Sequence, residues 1–424
     1  MQPGRREILV SGAAALAAPV SAIARTPSAT AHIVVVGGGF GGATAARYLR
    51  QLAPHLHVTL VEPIKRFYTC PYSNLYLAGL RSWDSIGHGF DGLRAAGVEV
   101  IHERADDVDA AAHKVRLASG QTLRYDRLVL SPGIDLRWNA IEGYDEKAAE
   151  RAPHAWKAGP QTLLLKKQME AMPDGGLFIM VVPGSPYRCP PGPYERAAMV
   201  AHYFKQHKPR SKILLLDAKE NFSKKALFLQ GWKALYGDMI EWVGLSRDGQ
   251  VVRVDSKALE VETMFGSRHR ADVLNVIPPQ KAGFIADRAG VTDGSGWAPV
   301  KGENFESKRV AGIHVLGDAS FAGPMPKSGF AANNQGKLAA AAIAAELSGM
   351  ELPAAIYANT CYSLVGPDYG ISVTGVYRAQ EGRLISVPHS VGSSPLDAGA
   401  AFRAAQARHG AAWYASISAD IWDR

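Results

Sequence analysis

Cysteine is scarce: three residues in a chain of 424. That excludes a disulfide-stapled scaffold, and a chain this long needs none to bury a core. None of the three stands in Cys-x-x-Cys, and no Cys/His cluster has zinc-ligand spacing. No apolar run reaches the length of a membrane span. No dense Lys/Arg run with interleaved aromatics is present, so the formal charge of +8 suits anionic small molecules or partners better than nucleic acid. With 47% hydrophobic and 20% charged residues, the composition is that of a folded chain of two or three domains.

What is present begins with Arg5-Arg6, an Ala-rich stretch from Ile8, and Ala22-Ile23-Ala24. This pattern predicts a twin-arginine signal peptide over residues 1–24, cleaved before Arg25, and a periplasmic mature protein. The alternative is an uncleaved tail. An oxidising compartment permits disulfides, and an odd cysteine count leaves one thiol to be explained.

His32–Val36 reads as a buried β-branched strand that runs into Gly37-Gly38-Gly39-Phe40-Gly41-Gly42 and a small-residue helix. Gly37, Gly39 and Gly42 fill the three positions of a dinucleotide loop: a tight turn, close approach to a pyrophosphate, and close helix–strand packing. Free N–H groups at the helix start face the phosphates. A second strand, Val58–Val61, ends at Glu62, placed to bind ribose hydroxyls. Two later strand-plus-turn segments, Leu128–Gly133 and Gly312–Asp318, resemble the further FAD signatures of flavoproteins with glutathione-reductase architecture. In that resemblance Gly317 and Asp318 contact FAD, and Lys327, ahead of the helix from Phe330, stands near the flavin. The alternatives are that Asp318 caps the following helix and that Lys327 is a solvated loop lysine.

Leu177–Val182 repeats the strand, but the loop after it, Pro183-Gly184-Ser185-Pro186-Tyr187-Arg188-Cys189, keeps one glycine and gains prolines that lack N–H donors. The reading is a second nucleotide domain whose NAD site is lost, with Cys189 in its place.

Three segments, Phe67–Asn74 around Cys70, Tyr187–Glu195 around Cys189, and Asn359–Ser372 around Cys361, together resemble the flavoprotein subunit of flavocytochrome c sulfide dehydrogenase over essentially the whole chain after residue 24. The resemblance implies a thioether from Cys70 to FAD and a Cys189–Cys361 redox disulfide that accepts electrons from sulfide. It also implies a separate c-type cytochrome subunit as acceptor, since the haem-binding Cys-x-x-Cys-His is absent. Glu195 is a candidate acid/base. The alternatives are an inert thiol at Cys70, a structural disulfide, and a solvated Glu195.

The fold class expected is α/β: two Rossmann-like dinucleotide-binding domains of glutathione-reductase type plus a C-terminal α+β domain. The divisions are 1–24 signal peptide, 25–155 and 285–349 FAD-binding domain, 156–284 second nucleotide-domain-like region, and 350–424 C-terminal domain. The function expected is sulfide:cytochrome c oxidoreductase. A sulfide:quinone oxidoreductase and a non-catalytic FAD-binding reactivation partner of a sulfur-oxidising system are the alternatives. Against the quinone enzyme stands the lack of a C-terminal amphipathic helix with a clear apolar face.

Overall fold

The computed structural model describes residues 30–351 and 354–423, so the expected signal peptide lies outside the described residues. Strand β1 (His32–Val36) leads into α1 (Phe40–Leu52), then β2 (His57–Val61), β3 (Glu99–Ile101) and β4 (Arg127–Leu130). β1 pairs in parallel with β2 on one side and β4 on the other, and β3 pairs in parallel with β2. These strands are nearly continuous β-branched and leucine runs because both faces of the sheet are covered. The loop from β1 to α1 is possible only with glycine at two points. Gly37 has φ +103°, and a Cβ on Gly42 would lie 2.0 Å from the Gly37 carbonyl oxygen.

The chain then builds a second parallel sheet from β5 (Leu177–Val182), β6 (Lys212–Asp217), β7 (Ile240–Val243) and β8 (Val273–Val276), in the order β7-β6-β5-β8. Helix α2 (Gly192–His207) follows β5, and α3 (Lys225–Tyr236) follows β6. Each strand-helix-strand unit is therefore a parallel crossover, the Rossmann arrangement.

Strand β9 (Ile313–Val315) returns to the first sheet and pairs with β4, completing the order β9-β4-β1-β2-β3. Helix α4 (Gly329–Ser348) packs on α1, where a Cβ on Gly336 would lie 2.6 Å from the Gly41 carbonyl oxygen. Small residues on both helices set that close approach. The antiparallel hairpin β10 (Ile356–Gly366) and β11 (Tyr369–Gln380) then crosses toward the second sheet, backed by α5 (Ala400–Ser418). The last turn, Ala419–Asp423, lies on the glycine loop: Trp422 Nε1 donates to the Gly38 carbonyl at 3.3 Å, and its ring stacks on Phe67 and His88. The fold is α/β, with two Rossmann-type sheets and additional α+β elements.

Candidate active site

A cavity of about 820 Å³ opens between the two sheets and the C-terminal hairpin. Its wall includes Gly37, Gly39, Glu62, Gly317 and Asp318 together with Cys70, Cys189, Glu195 and Cys361. Gly42 lies behind the wall, in the helix–loop contact. Glu62 is fixed by two backbone donors, Gly38 N (2.7 Å) and Ile64 N (2.9 Å). Burial pushes its carboxyl above the usual range, against the pull of those bonds.

Asp318 sits in the turn between β9 and α4, 3.8 Å from the Arg188 guanidinium. Its Oδ1, and Arg188 Nη2, are buried without a protein partner. Two orphaned polar atoms on a cavity wall want a ligand rich in hydrogen-bonding groups. With the glycine cradle and the Glu62 carboxylate, they fit the ribityl-pyrophosphate chain of a flavin dinucleotide. Lys327 is placed differently: its Nζ donates to the Asp318 and Ser320 carbonyls (2.9 and 2.5 Å) and lies 3.8 Å from the Trp297 ring centroid. Its side chain lines a separate cavity of about 260 Å³ on the far side of the Cys189 loop.

The three cysteines are free thiols, so the Cys189–Cys361 bond expected from the resemblance is not formed in this structure. Cys70 follows the short strand Phe67–Tyr68, and its Sγ donates to the Trp156 carbonyl at 3.4 Å. Cys189 holds a left-handed backbone, φ 55°, costly for a residue with a Cβ. Its N–H donates to the Lys327 carbonyl, and its own carbonyl accepts from Gly192 N. A Cβ on Gly192 would lie 3.0 Å from Cys189 Sγ, so glycine there makes room for the sulfur. Burial, then the charges of Cys361 and Glu195, push the Cys189 thiol well up. Cys361 lies in β10, where Asn359 Nδ2 donates to its Sγ at 3.4 Å.

Glu195, in the first turn of α2, uses both oxygens: Oε1 accepts from Leu364 N (2.8 Å) and Oε2 from Asn74 Nδ2 (2.9 Å). It therefore ties α2 to the β10 hairpin and to the Cys70 segment. Burial raises its carboxyl above the usual range.

Sequence reasoning missed four residues beside it. Arg196 is buried, donates to Asn74, His154, Asn275 and Ala155, and lies over the Trp156 ring. Asn74 was inside a quoted motif but had no role. Asn359 contacts Cys361 from the same strand, and Lys224 reaches it across the fold. The only available signal was the Asn359-Thr360-Cys361 spacing, which puts Asn359 and Cys361 on one face of a strand.

At the end of β6, buried Asp217 accepts from Tyr194 Oη (2.7 Å), Trp242 Nε1 (2.9 Å) and Lys219 Nζ (2.6 Å).

The two Rossmann sheets with a shared cavity have the fold of the pyridine nucleotide-disulphide oxidoreductases, whose family model matches residues 31–162. Models of the central region of the sulfide dehydrogenase (flavocytochrome c) flavoprotein chain and of the flavin-binding region of flavocytochrome c sulphide dehydrogenase match residues 162–278 and 353–422. The mitochondrial sulfide:quinone oxidoreductase of Mus musculus is 24% identical over 311 residues, 68% of this chain and 65% of that protein. The chain thus spans just under two thirds of that relative's length. The sulfide dehydrogenase (flavocytochrome c) flavoprotein chain of Chlorobaculum thiosulfatiphilum is 64% identical over 45 residues, 11% of this chain and 94% of that sequence. The solved sulfide:quinone oxidoreductase of Aquifex aeolicus superposes with a TM-score of 0.70 at 19% identity, covering 92% of each chain, a likeness of fold. The chain belongs to the FAD-binding flavoproteins of the sulfide-oxidising superfamily that contains the sulfide:quinone oxidoreductases and the flavocytochrome c sulfide dehydrogenase flavoproteins.

One expectation is corrected. The resemblance implied sulfide:cytochrome c oxidoreductase activity with a c-type cytochrome subunit as partner. The curated relatives that match most of the chain are sulfide:quinone oxidoreductases, which overturns the cytochrome as acceptor. The cytochrome came with the resemblance, and the absence of a haem motif said only that any such partner would be a separate chain. Among the described residues no helix is long and apolar enough to cross a membrane.

Proposed function

We propose that this chain is a FAD-dependent sulfide:quinone oxidoreductase that takes two electrons from sulfide at Cys189 and Cys361. The observation that carries the reading is that both cysteines and Glu195 line the cavity that also holds the glycine loop and Asp318. The names of the relatives supply the quinone.

In the oxidised state the two sulfurs form a disulfide. Hydrosulfide attacks one of them, making a persulfide and releasing the other cysteine as thiolate. A second hydrosulfide attacks the outer persulfide sulfur and leaves as HSS⁻, one proton is released, and both cysteines are left reduced. FAD held at Gly37, Gly39, Glu62, Arg188 and Asp318 would supply a two-electron acceptor for the reduced pair. Glu195 holds or releases the proton in this cavity, and Arg196 and Lys224 provide the positive charge that favours anionic sulfur. The central and C-terminal family models support kinship with the flavocytochrome c type of flavoprotein, and the resemblance around Cys70, which lines the cavity, carries the thioether to FAD. Yellow colour that survives acid precipitation with the protein is expected, and its release into the supernatant sinks the thioether. The arginine pair at Arg5-Arg6 supports export to the periplasm, for which a native N-terminus near Arg25 is the check.

Anaerobic titration of the purified flavoprotein with sulfide tests the donor, and decylubiquinone against cytochrome c tests the acceptor. Bleaching by sulfide and reoxidation by the quinone are expected. No bleaching overturns the reading, and reoxidation by cytochrome c alone overturns the acceptor.

A further inference from the structure

Lys224 stands immediately before α3 with φ 64°, a left-handed backbone that a lysine adopts at a cost. From there its ammonium spans 137 residues of sequence to the hairpin. It donates to the Cys361 carbonyl at 2.9 Å and to Ser363 Oγ at 2.8 Å. Strand alternation places Asn359, Cys361 and Ser363 on one face of β10. The bond to Ser363 Oγ therefore puts the ammonium on the same face as the Cys361 sulfur, with the Asn359 amide on the other side of that sulfur. An ammonium has three N–H groups and two are used here, leaving one for an anion. No ion pair joins Lys224 to a carboxylate among the described residues, although its Nζ lies 5.8 Å from the Phe228 ring centroid. Burial pulls its pKa down to about 8, and the charges of Cys361, Glu195 and Cys189 oppose the shift.

We infer that Lys224 is a positioning residue for Cys361, supplying the positive charge on the face of β10 that carries the sulfur. The inference deepens the proposed sulfide oxidation and rests on Cys361 being one of its two working cysteines. Cys189, in the loop before α2, and Tyr377 on β11 also face Cys361, and Glu195 on α2 faces Lys224. None of them is a cation.

The test uses the full-length flavin-loaded protein, reduced with a phosphine, and follows iodoacetamide alkylation of Cys361 by peptide mass spectrometry across pH. Only the thiolate reacts. Lys224→Gln keeps a donor for the Cys361 carbonyl but removes the charge, and Lys224→Arg keeps the charge. An adjacent opposite charge moves a thiol by about 1–3 pH units. The alkylation midpoint is expected to rise by about one unit or more in Lys224→Gln, about tenfold slower alkylation below both midpoints, and to stay with the wild type in Lys224→Arg. Flavin absorbance retained by both variants verifies folding. Superimposable profiles for wild type and Lys224→Gln overturn the inference, as does Lys224→Arg shifting as far as Lys224→Gln. Because no sulfide or acceptor enters the assay, failure of the wild type to oxidise sulfide overturns the function without touching this result.

Discussion

Glu195 is held by two N–H donors from different parts of the chain, and burial still raises its carboxyl. A carboxyl tuned upward can carry a proton at a pH where an exposed glutamate cannot. Glu195→Gln is expected to lower sulfide turnover by about 10²–10⁴-fold and to remove the acidic limb of the pH–rate profile. An unchanged profile would exclude it from the chemistry. His154 makes a stability argument instead. It is buried, its Nδ1 accepts from Trp156 N at 2.9 Å, and burial, then the positive charges of Lys157 and Arg196, push its pKa down to about 3. The folded state therefore holds a neutral imidazole while the unfolded chain titrates near 6.5. Its contribution is fully present above that pH and is lost as pH falls toward 3, with a slope of about 1.4 kcal/mol per pH unit. Denaturant unfolding between pH 7.5 and 5 should show this slope, flattened in His154→Gln.

The β1–α1 loop was legible from residues alone because its constraints are local: Gly37 needs positive φ, and Gly42 has a carbonyl where a Cβ would be. The turn that covers the loop was not. Trp422 is 2% exposed, stacked on Phe67 and His88 and bonded to Gly38, but nothing at residue 422 announces a partner nearly four hundred residues away. Trp422→Ala is expected to cost about 3–5 kcal/mol and to speed flavin loss from any protein not covalently loaded, both measurable in one thermal melt followed by protein and flavin fluorescence. The Cys361 face was hidden for the same reason. Lys224-Lys225 reads as two solvated lysines, and only the packing of α3 against β10 turns the first of them inward.

Across the molecule, the second sheet keeps the shape of a nucleotide domain and spends its polar groups on itself. The acid at the end of β6, Asp217, already accepts from Tyr194, Trp242 and Lys219, so a ribose would have to displace buried bonds. NADH and NADPH are accordingly expected not to bleach the flavin at a catalytic rate in stopped-flow mixing, and rapid bleaching by either would show that the pocket opens. The α/β architecture and the identity of the cavity-lining cysteines were readable because strand–loop–helix periodicity and cysteine scarcity are properties of the sequence itself. The electron acceptor was not, because it meets the protein only through a surface.

The dinucleotide loop is made of residues 37–42, yet strand β9 at residues 313–315 closes its sheet and Trp422 rests on it. A ribosome must therefore make nearly the whole chain before the loop can settle. Flavin loading is therefore expected to come late in synthesis, and a chain interrupted before its last turn is expected to hold flavin more weakly than the full chain.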